Sequence, residues 1–431
     1  MPVSKIRYAL VGVGGRARFF YNALVSTYAS TSDLVAFCDL NQKRMDYANK
    51  QIQAEYGTPP IKTYFYTEFE EMIKQERPDV VIVTTIDRTH HRYIIRAMEL
   101  GCDVITEKPM TIDAPKCQAI LDAIQETGRE LRVTFNYRYA PHNTKIRELI
   151  MDDTIGDVTS VHFEWLLDVN HGADYFRRWH RDKRNSGGLL VHKATHHFDL
   201  VNFWLGAVPV RVFAMGDLLF YGRENAENRG HDHFYYRSTG SPQAIGDPFA
   251  LHMDQTDGLR QMYLEAEEQD GYLRDQSVFG DGINIEDTMA VLVKYSNKAL
   301  LTYSLNAYLP WEGFRVAFNG TKGRIQVAVC ERTYINSGGA SEAEGAAKKV
   351  EITVFPMFGE PYDVPVTTAA GGHGGGDPKL LQDLFGVRED DRFKRAATHV
   401  DGAMSILTGI AANEAIRKET PVNIRDLIEW R

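Results

Sequence analysis

The chain has 431 residues, 43% hydrophobic and 25% charged, the composition of a globular protein of about two domains. Its formal net charge is −9, with 49 Lys and Arg against 58 Asp and Glu, which argues against a nucleic-acid partner. No apolar run approaches the ~18 residues of a membrane span, so no membrane partner is expected either.

From Ile6 onward the sequence alternates short apolar runs with amphipathic stretches. Ile6–Val13, Leu34–Cys38, Val80–Thr84, Asp103–Thr106 and Leu131–Phe135 read as buried strands. Gln42–Ala54 and Thr89–Leu100 read as helices between them. Thr67-Glu68-Phe69-Glu70 has the form of a capping box, and Gly101 and Gly128 sit where helix C-caps are expected. Strands alternating with helices imply a doubly wound parallel sheet of the Rossmann kind, assigned to residues 1–137. No charged and apolar leader precedes the first strand, so secretion is not expected.

Past about residue 155 the period changes to two. Leu301, Tyr303 and Leu305 alternate with polar neighbours, as do Phe314, Val316 and Phe318, and then Ile325, Val327 and Val329. Asn319-Gly320 between the last two runs signals a hairpin. Residues 138–431 are therefore assigned to a second domain of α+β type with a large, mainly antiparallel sheet. His196–Leu205 is helical in pattern. A C-terminal helix at about 400–417, with Met404, Leu407 and Ala411 on one face, is expected to pack back on the body. Residues 222–282 hold twelve acidic residues, five arginines, no lysine and seven aromatics. A segment that long and that aromatic reads as an ordered lid. The run 371–376 is glycine except for His373, which makes it either a linker or a loop of close approach. The cysteines, Cys38, Cys102, Cys117 and Cys330, show no metal-ligand spacing, which suggests a reducing, cytoplasmic setting.

The first strand ends in Gly12-Val13-Gly14-Gly15-Arg16-Ala17, the G-x-G-x-x-A form of the dinucleotide fingerprint. Gly12 allows the tight turn, Gly14 lets backbone approach a pyrophosphate, and a helix N-terminus follows. Asp39 ends the second strand, where its carboxylate can accept from a ribose diol and repel a 2′-phosphate. NAD is the expected cofactor, NADP the less expected one, with Arg16 or Arg44 able to hold a 2′-phosphate.

At Thr106-Glu107-Lys108-Pro109 the chain resembles the Gfo/Idh/MocA family of NAD(P)-dependent oxidoreductases, over nearly its whole length. Thr85-Ile86-Asp87-Arg88-Thr89-His90 is similar to the family's T-P-N-x-x-H stretch, with Ile and Asp in place of Pro and Asn. Glu107-Lys108-Pro109 is its intact E-K-P motif. Asn136-Tyr137-Arg138-Tyr139 resembles the lead into the second domain, and Gly187-Gly188 with His196-His197-Phe198-Asp199 its motif of paired glycines followed by D-x-G-x-H-x-x-D. The resemblance implies hydride exchange with a secondary hydroxyl or keto group of a sugar, glycoside or polyol. It implies cofactor contacts from Gly12, Gly14, Gly15, Arg16, Asp39, Thr85, His90, Glu107, Lys108 and Asn136. Lys108 and His196 are the expected catalytic pair. His192 occupies the place of the family's aspartate, so it either joins the catalysis or binds substrate; a metal role is disfavoured by Lys193, and no metal is expected. Tyr137, Arg178, Trp179, His192, His196 and His373 are the expected substrate contacts.

Two other functions compete. One is an NAD-dependent glycosidase that oxidises a sugar transiently at C3, eliminates the aglycone, adds water and reduces again. The other is a non-catalytic ligand sensor on the same fold. A homodimer or homotetramer joined through the C-terminal sheet is also expected.

Overall fold

The structure, a computed structural model, describes residues 5–331, 346–367, 372–387 and 390–429. The first sheet has six strands: β1 (Ile6–Val11), β2 (Ser32–Asp39), β3 (Lys62–Phe65), β4 (Val80–Val83), β5 (Asp103–Thr106) and β6 (Leu131–Val133). They run parallel in the order β3-β2-β1-β4-β5-β6. This is the doubly wound Rossmann order, and its switch point lies between β1 and β4. Ala9, Val11, Val81, Val83 and Val104 are buried between helices on both faces, which is why these strands read as continuous apolar runs. The helix Ala114–Thr127 shows the local logic. Asp113 caps its start by accepting from the Lys116 N–H at 3.0 Å, and Gly128, at φ +65°, closes its end.

Two local expectations need correction. The helix Phe69–Glu76 is entered through a 3-10 turn, Tyr66–Glu68, and the reciprocal capping bond runs from the Phe65 N–H to Glu68 at 2.8 Å rather than to Glu70. The hairpin turn lies later than Asn319-Gly320: those residues end a strand, and Thr321-Lys322 turn the chain. Gly320 serves a close approach instead. A Cβ there would lie 2.1 Å from the Ile155 carbonyl oxygen.

The second sheet has nine strands: β7 (Val158–Asp168), β8 (Pro209–Asp217), β9 (Thr288–Tyr295), β10 (Leu300–Leu309), β11 (Gly313–Gly320), β12 (Gly323–Glu331), β13 (Ala347–Pro356), β14 (Tyr362–Asp363) and β15 (Val422–Asn423). Their order is β14-β13-β12-β11-β7-β10-β9-β8-β15. All neighbours are antiparallel except β7 and β10, so the sheet is mixed. One face packs on helices and the other is open, which accounts for the two-residue alternation.

The helices Ala194–Leu205 and His399–Lys418 cover the packed face. A Cβ on Gly409 would lie 2.1 Å from the Leu190 carbonyl oxygen, and one on Gly402 would lie 2.7 Å from Val133 Cγ2. The C-terminal helix is therefore wedged between β6 and the segment that carries His192. Residues 222–282 fold into short helical turns. Leu251, Met253, Leu259, Met262 and Tyr263 form an apolar cluster with Tyr47 of the Rossmann helix Gln42–Tyr56.

Candidate active site

A cavity of about 850 Å³ opens at the carboxyl ends of β1, β4 and β5. Its lining runs from the glycine turn and Asp39 to Lys108, His192 and His196. Gly12 has φ +89°, and a Cβ on it would lie 2.6 Å from Thr85 N, so only glycine fits there. Gly14 faces open space, which leaves its backbone approachable. Asp39 fixes the turn from below, accepting from the Val13 N–H at 2.5 Å and the Asn41 N–H at 2.8 Å. Burial pushes its carboxyl up, against the lowering pull of Arg44 and of those two N–H groups. This backbone cradle, with an acid at the end of β2, fits a dinucleotide.

The 222–282 segment closes this end. The Gly15 N–H donates to the Tyr263 hydroxyl at 3.1 Å. Asn41 Nδ2 donates to the Ala266 carbonyl and to Asp270, both at 2.9 Å. Arg44 donates from Nε to the Met262 carbonyl at 3.2 Å and pairs with Asp270 at 2.6 Å. Arg16 is engaged elsewhere, through Nε to Glu107 at 2.8 Å.

The remaining sequence candidates fall into two groups. Thr85, Glu107, Lys108, Asn136, Arg178, Trp179, His192, His196 and His373 all line the cavity. His90 also lines it, but its two ring nitrogens face the Pro109 and Thr85 carbonyls at 2.9 and 3.0 Å, bracing the loop of Lys108 against β4. Tyr137 stands behind the lining. Its hydroxyl donates to Glu331 at 3.0 Å, and its ring meets His196 and His373 edge-on at 5.1 and 4.9 Å.

Lys108 follows β5 and donates from Nζ to the His192 carbonyl at 3.4 Å. His192 ends one short helix, Leu189–His192, and His196 lies in the next, Ala194–Leu205, with Lys193 between them. Asp87 Oδ2 lies 2.5 Å from His192 Nδ1. The His192 ring also meets His180 edge-on at 4.2 Å, and His180 stacks on Trp179 at 3.5 Å. Burial, and after it the charge of Lys108, hold His192 and His196 well below the ordinary histidine range. Both are therefore neutral bases at neutral pH. Burial drives Asp87 well above the carboxylate range, and Lys108 opposes it.

The glycine run is a loop of close approach rather than a linker. His373 is left-handed at φ 49° and accepts or donates through Nδ1 to Asp377 at 3.1 Å. A Cβ on Gly376 would lie 2.2 Å from the Asn136 carbonyl oxygen. Gly371, first of that run, lies outside the described residues. His197 serves packing: it stacks on Trp165 at 3.8 Å and bonds the Tyr303 hydroxyl at 2.6 Å. Among the described residues no group of three or more His, Cys, Asp or Glu is placed to hold a metal ion. No helix among them is long and apolar enough to cross a membrane.

Sequence reasoning missed Asp87, Asp174, Tyr263, Asp270, Arg274 and Asp377. Asp87 had a signal: the motif that loses an acid at His192 faces a motif that gains one at Asp87. The others belong to contacts that no local motif marks.

Residues 6–135 match the family model for the oxidoreductase NAD-binding Rossmann fold, and residues 147–424 match that for the oxidoreductase C-terminal alpha/beta domain. The Bacillus subtilis (strain 168) protein YteT, named as an oxidoreductase, is 35% identical over 97% of this chain and 98% of its own. An inositol 2-dehydrogenase of Rhizobium meliloti is 33% identical over 50% of this chain and 59% of its own. The fold is also that of the aldose-aldose oxidoreductase of Caulobacter crescentus, at a TM-score of 0.62 and 17% identity, over 97% of this chain and 100% of that one. The chain belongs to the Gfo/Idh/MocA family of NAD-binding oxidoreductases.

Proposed function

We infer that the protein exchanges a hydride between NAD and a secondary hydroxyl or keto group of a carbohydrate. The observation that carries this is the convergence of Lys108, His192 and His196 on the cavity that begins at the Gly12–Gly14 turn. Bound NAD supplies the hydride acceptor. The chain's own groups handle the oxygen and the proton. Lys108 holds the reacting oxygen and stabilises negative charge on it. His196, neutral and buried, accepts the hydroxyl proton as the carbinol carbon gives up hydride. Asp87 fixes His192 through Nδ1, which leaves Nε2 of that ring for the substrate or for a second proton. Trp179 and Tyr175 present aromatic surface to a sugar ring.

NAD over NADP is supported by the ribose end of the cavity, where Asp39 and Asp270 lie and Arg44 is committed to Asp270. The oligomer is supported by the open face of the second sheet, where Met215 and Leu292 are 69% and 52% exposed; light scattering that shows only monomer would remove it. The cytoplasm suits four free thiols.

The test is to incubate the purified protein with NAD and a panel of sugars, glycosides and polyols and to follow nicotinamide absorbance. Turnover of a carbohydrate supports the reading; inert behaviour toward the whole panel, with NAD bound, removes it.

One observation favours a glycosidase as the second reading. Asp87–His192 and His373–Asp377 are acid/base pairs beyond what a single hydride exchange needs. Release of nitrophenol from aryl glycosides under catalytic NAD, with solvent deuterium entering at C2, distinguishes it from the first.

A further inference from the structure

The 222–282 insertion brings a carboxylate to the place where a Rossmann domain chooses between dinucleotides. In this fold an acid near the end of the second strand meets the adenosine ribose hydroxyls, and an arginine close by accommodates a 2′-phosphate. This chain holds both groups. Asp39 ends β2, and Arg44 stands in the first turn of the next helix, Gln42–Tyr56. Arg44, however, is taken up by the insertion. Its Nε donates to the Met262 carbonyl at 3.2 Å, and its Nη1 pairs with Asp270 Oδ2 at 2.6 Å. The rings of Tyr263 and Tyr272 lie 5.6 and 5.8 Å from the guanidinium carbon. Asp270 is held in turn: Oδ1 accepts from the Tyr272 N–H at 3.0 Å, and Oδ2 also accepts from Asn41 Nδ2 at 2.9 Å. The Arg44 and Asp270 side chains are 9% and 5% exposed, so solvent screens their attraction weakly.

Asp39, Arg44 and Asp270 all line the cavity. Two buried atoms at this end have no hydrogen-bond partner among the described residues, Arg44 Nη2 and Asn41 Oδ1. Asn41 Nδ2 is spent on two acceptors, Asp270 and the Ala266 carbonyl, which fixes the orientation of that amide. One donor and one acceptor are thus left over, and a ribose hydroxyl, which donates and accepts, can answer both kinds. A 2′-phosphate asks for something else. It brings roughly two negative charges into a place that already holds two carboxyl groups and one paired guanidinium. The three groups share one field: burial raises the Asp39 carboxyl most, Arg44 pulls it down, and Asp270 pushes it up again. A phosphate could gain Arg44 only by displacing Asp270, which would also break the contacts of Asp270 with Asn41 and Tyr272.

We propose that Asp270, carried on the insertion, sets the choice of NAD over NADP by standing at Arg44 in the place of the 2′-phosphate. The inference rests on the dinucleotide reading of the cavity, and binding is therefore measured apart from turnover. Calorimetric titration of the whole protein with NAD and with NADP gives the two dissociation constants. Wild type is expected to favour NAD by ~10²-fold or more, the scale of a close buried charge pair. Asp270→Asn should narrow that ratio by ~10²-fold, chiefly through tighter NADP, because Arg44 is then released to the phosphate. Adding Arg44→Met to that variant should abolish the gain. Asp270→Ser reads the same contact should Asp270→Asn fail to fold. Equal binding of the two dinucleotides by wild type, a ratio unchanged in folded Asp270→Asn, or a gain that survives Arg44→Met overturns the proposal. Binding of neither dinucleotide by wild type would remove the cofactor reading itself and the proposal with it. The expected shift without any carbohydrate turnover would uphold the proposal while removing the dehydrogenase reading.

Discussion

Asp87 Oδ2 and His192 Nδ1 lie 2.5 Å apart, joining two segments that are 105 residues apart in the chain. Asp87 comes from the loop after β4 and His192 from the segment before the helix Ala194–Leu205. The motifs that this chain resembles keep an amide and an acid at these two positions, and here they hold an acid and an imidazole. The acid stands on the Rossmann side and the imidazole on the other, beside Lys108. If the pair acts as one unit, Asp87→Asn and His192→Ala should each lower turnover by ~10²-fold or more, and the double variant should be barely worse than the worse single one. Steady-state kinetics of the three variants checks this. Losses that multiply would separate the two roles.

A second expectation concerns pH. Burial and then Lys108 hold His196 and His192 well below the ordinary value of about 6.5, so both stay unprotonated through neutral pH. The acid limb of the kcat profile should therefore fall well below pH ~6.5. Lys108→Ala removes a positive charge that disfavours protonation, so imidazole titration by NMR should move upward for both rings. A downward move, or none, would contradict the assigned cause.

The cofactor end should respond separately. Asp39→Ala removes the carboxylate that holds the Val13 and Asn41 N–H groups at the glycine turn. NAD affinity should fall by ~10-fold or more, discrimination against NADP should relax, and kcat at saturating cofactor should stay within ~3-fold. Titration by intrinsic fluorescence with both dinucleotides checks this.

The docked insertion should set how fast the cofactor leaves. Tyr263→Ala removes the hydroxyl that accepts from Gly15 and the ring that packs in the cluster with Tyr47. Dinucleotide release, followed by stopped-flow displacement, should speed up by ~10-fold, with faster amide exchange over residues 253–272. An unchanged release rate would leave the insertion without a part in cofactor retention.

Much of this fold is legible in the sequence because burial writes itself into periodicity. β1 and β4 are covered on both faces and read as unbroken apolar runs; β10, β11 and β12 are covered on one and alternate. The glycine turn, Asp39, Lys108 and His196 are legible because each sits at a fixed place relative to a strand end or a motif. The hairpin between β11 and β12 lies where the sequence expects it, but its turn falls on Thr321-Lys322, because Gly320 answers to the Ile155 carbonyl beside it. The insertion's docking leaves no local trace: Gly15 and Tyr263 are 248 residues apart, and a single hydroxyl makes the contact. The convergence of Arg178 and Arg274 on Asp174 is hidden for the same reason, since 100 residues separate Asp174 from Arg274.

Lys108→Ala is the decisive variant, because Lys108 stands at the proposed reacting oxygen while the glycine turn and Asp39 hold the pyrophosphate and ribose end of the dinucleotide. In the variant, turnover of the carbohydrate should fall by ~10²–10⁴-fold. NAD should bind within ~3-fold of the wild-type affinity, since the glycine turn and Asp39 are untouched. Equal turnover in wild type and variant, with NAD bound to both, would contradict the assignment of this cavity as the site of hydride exchange.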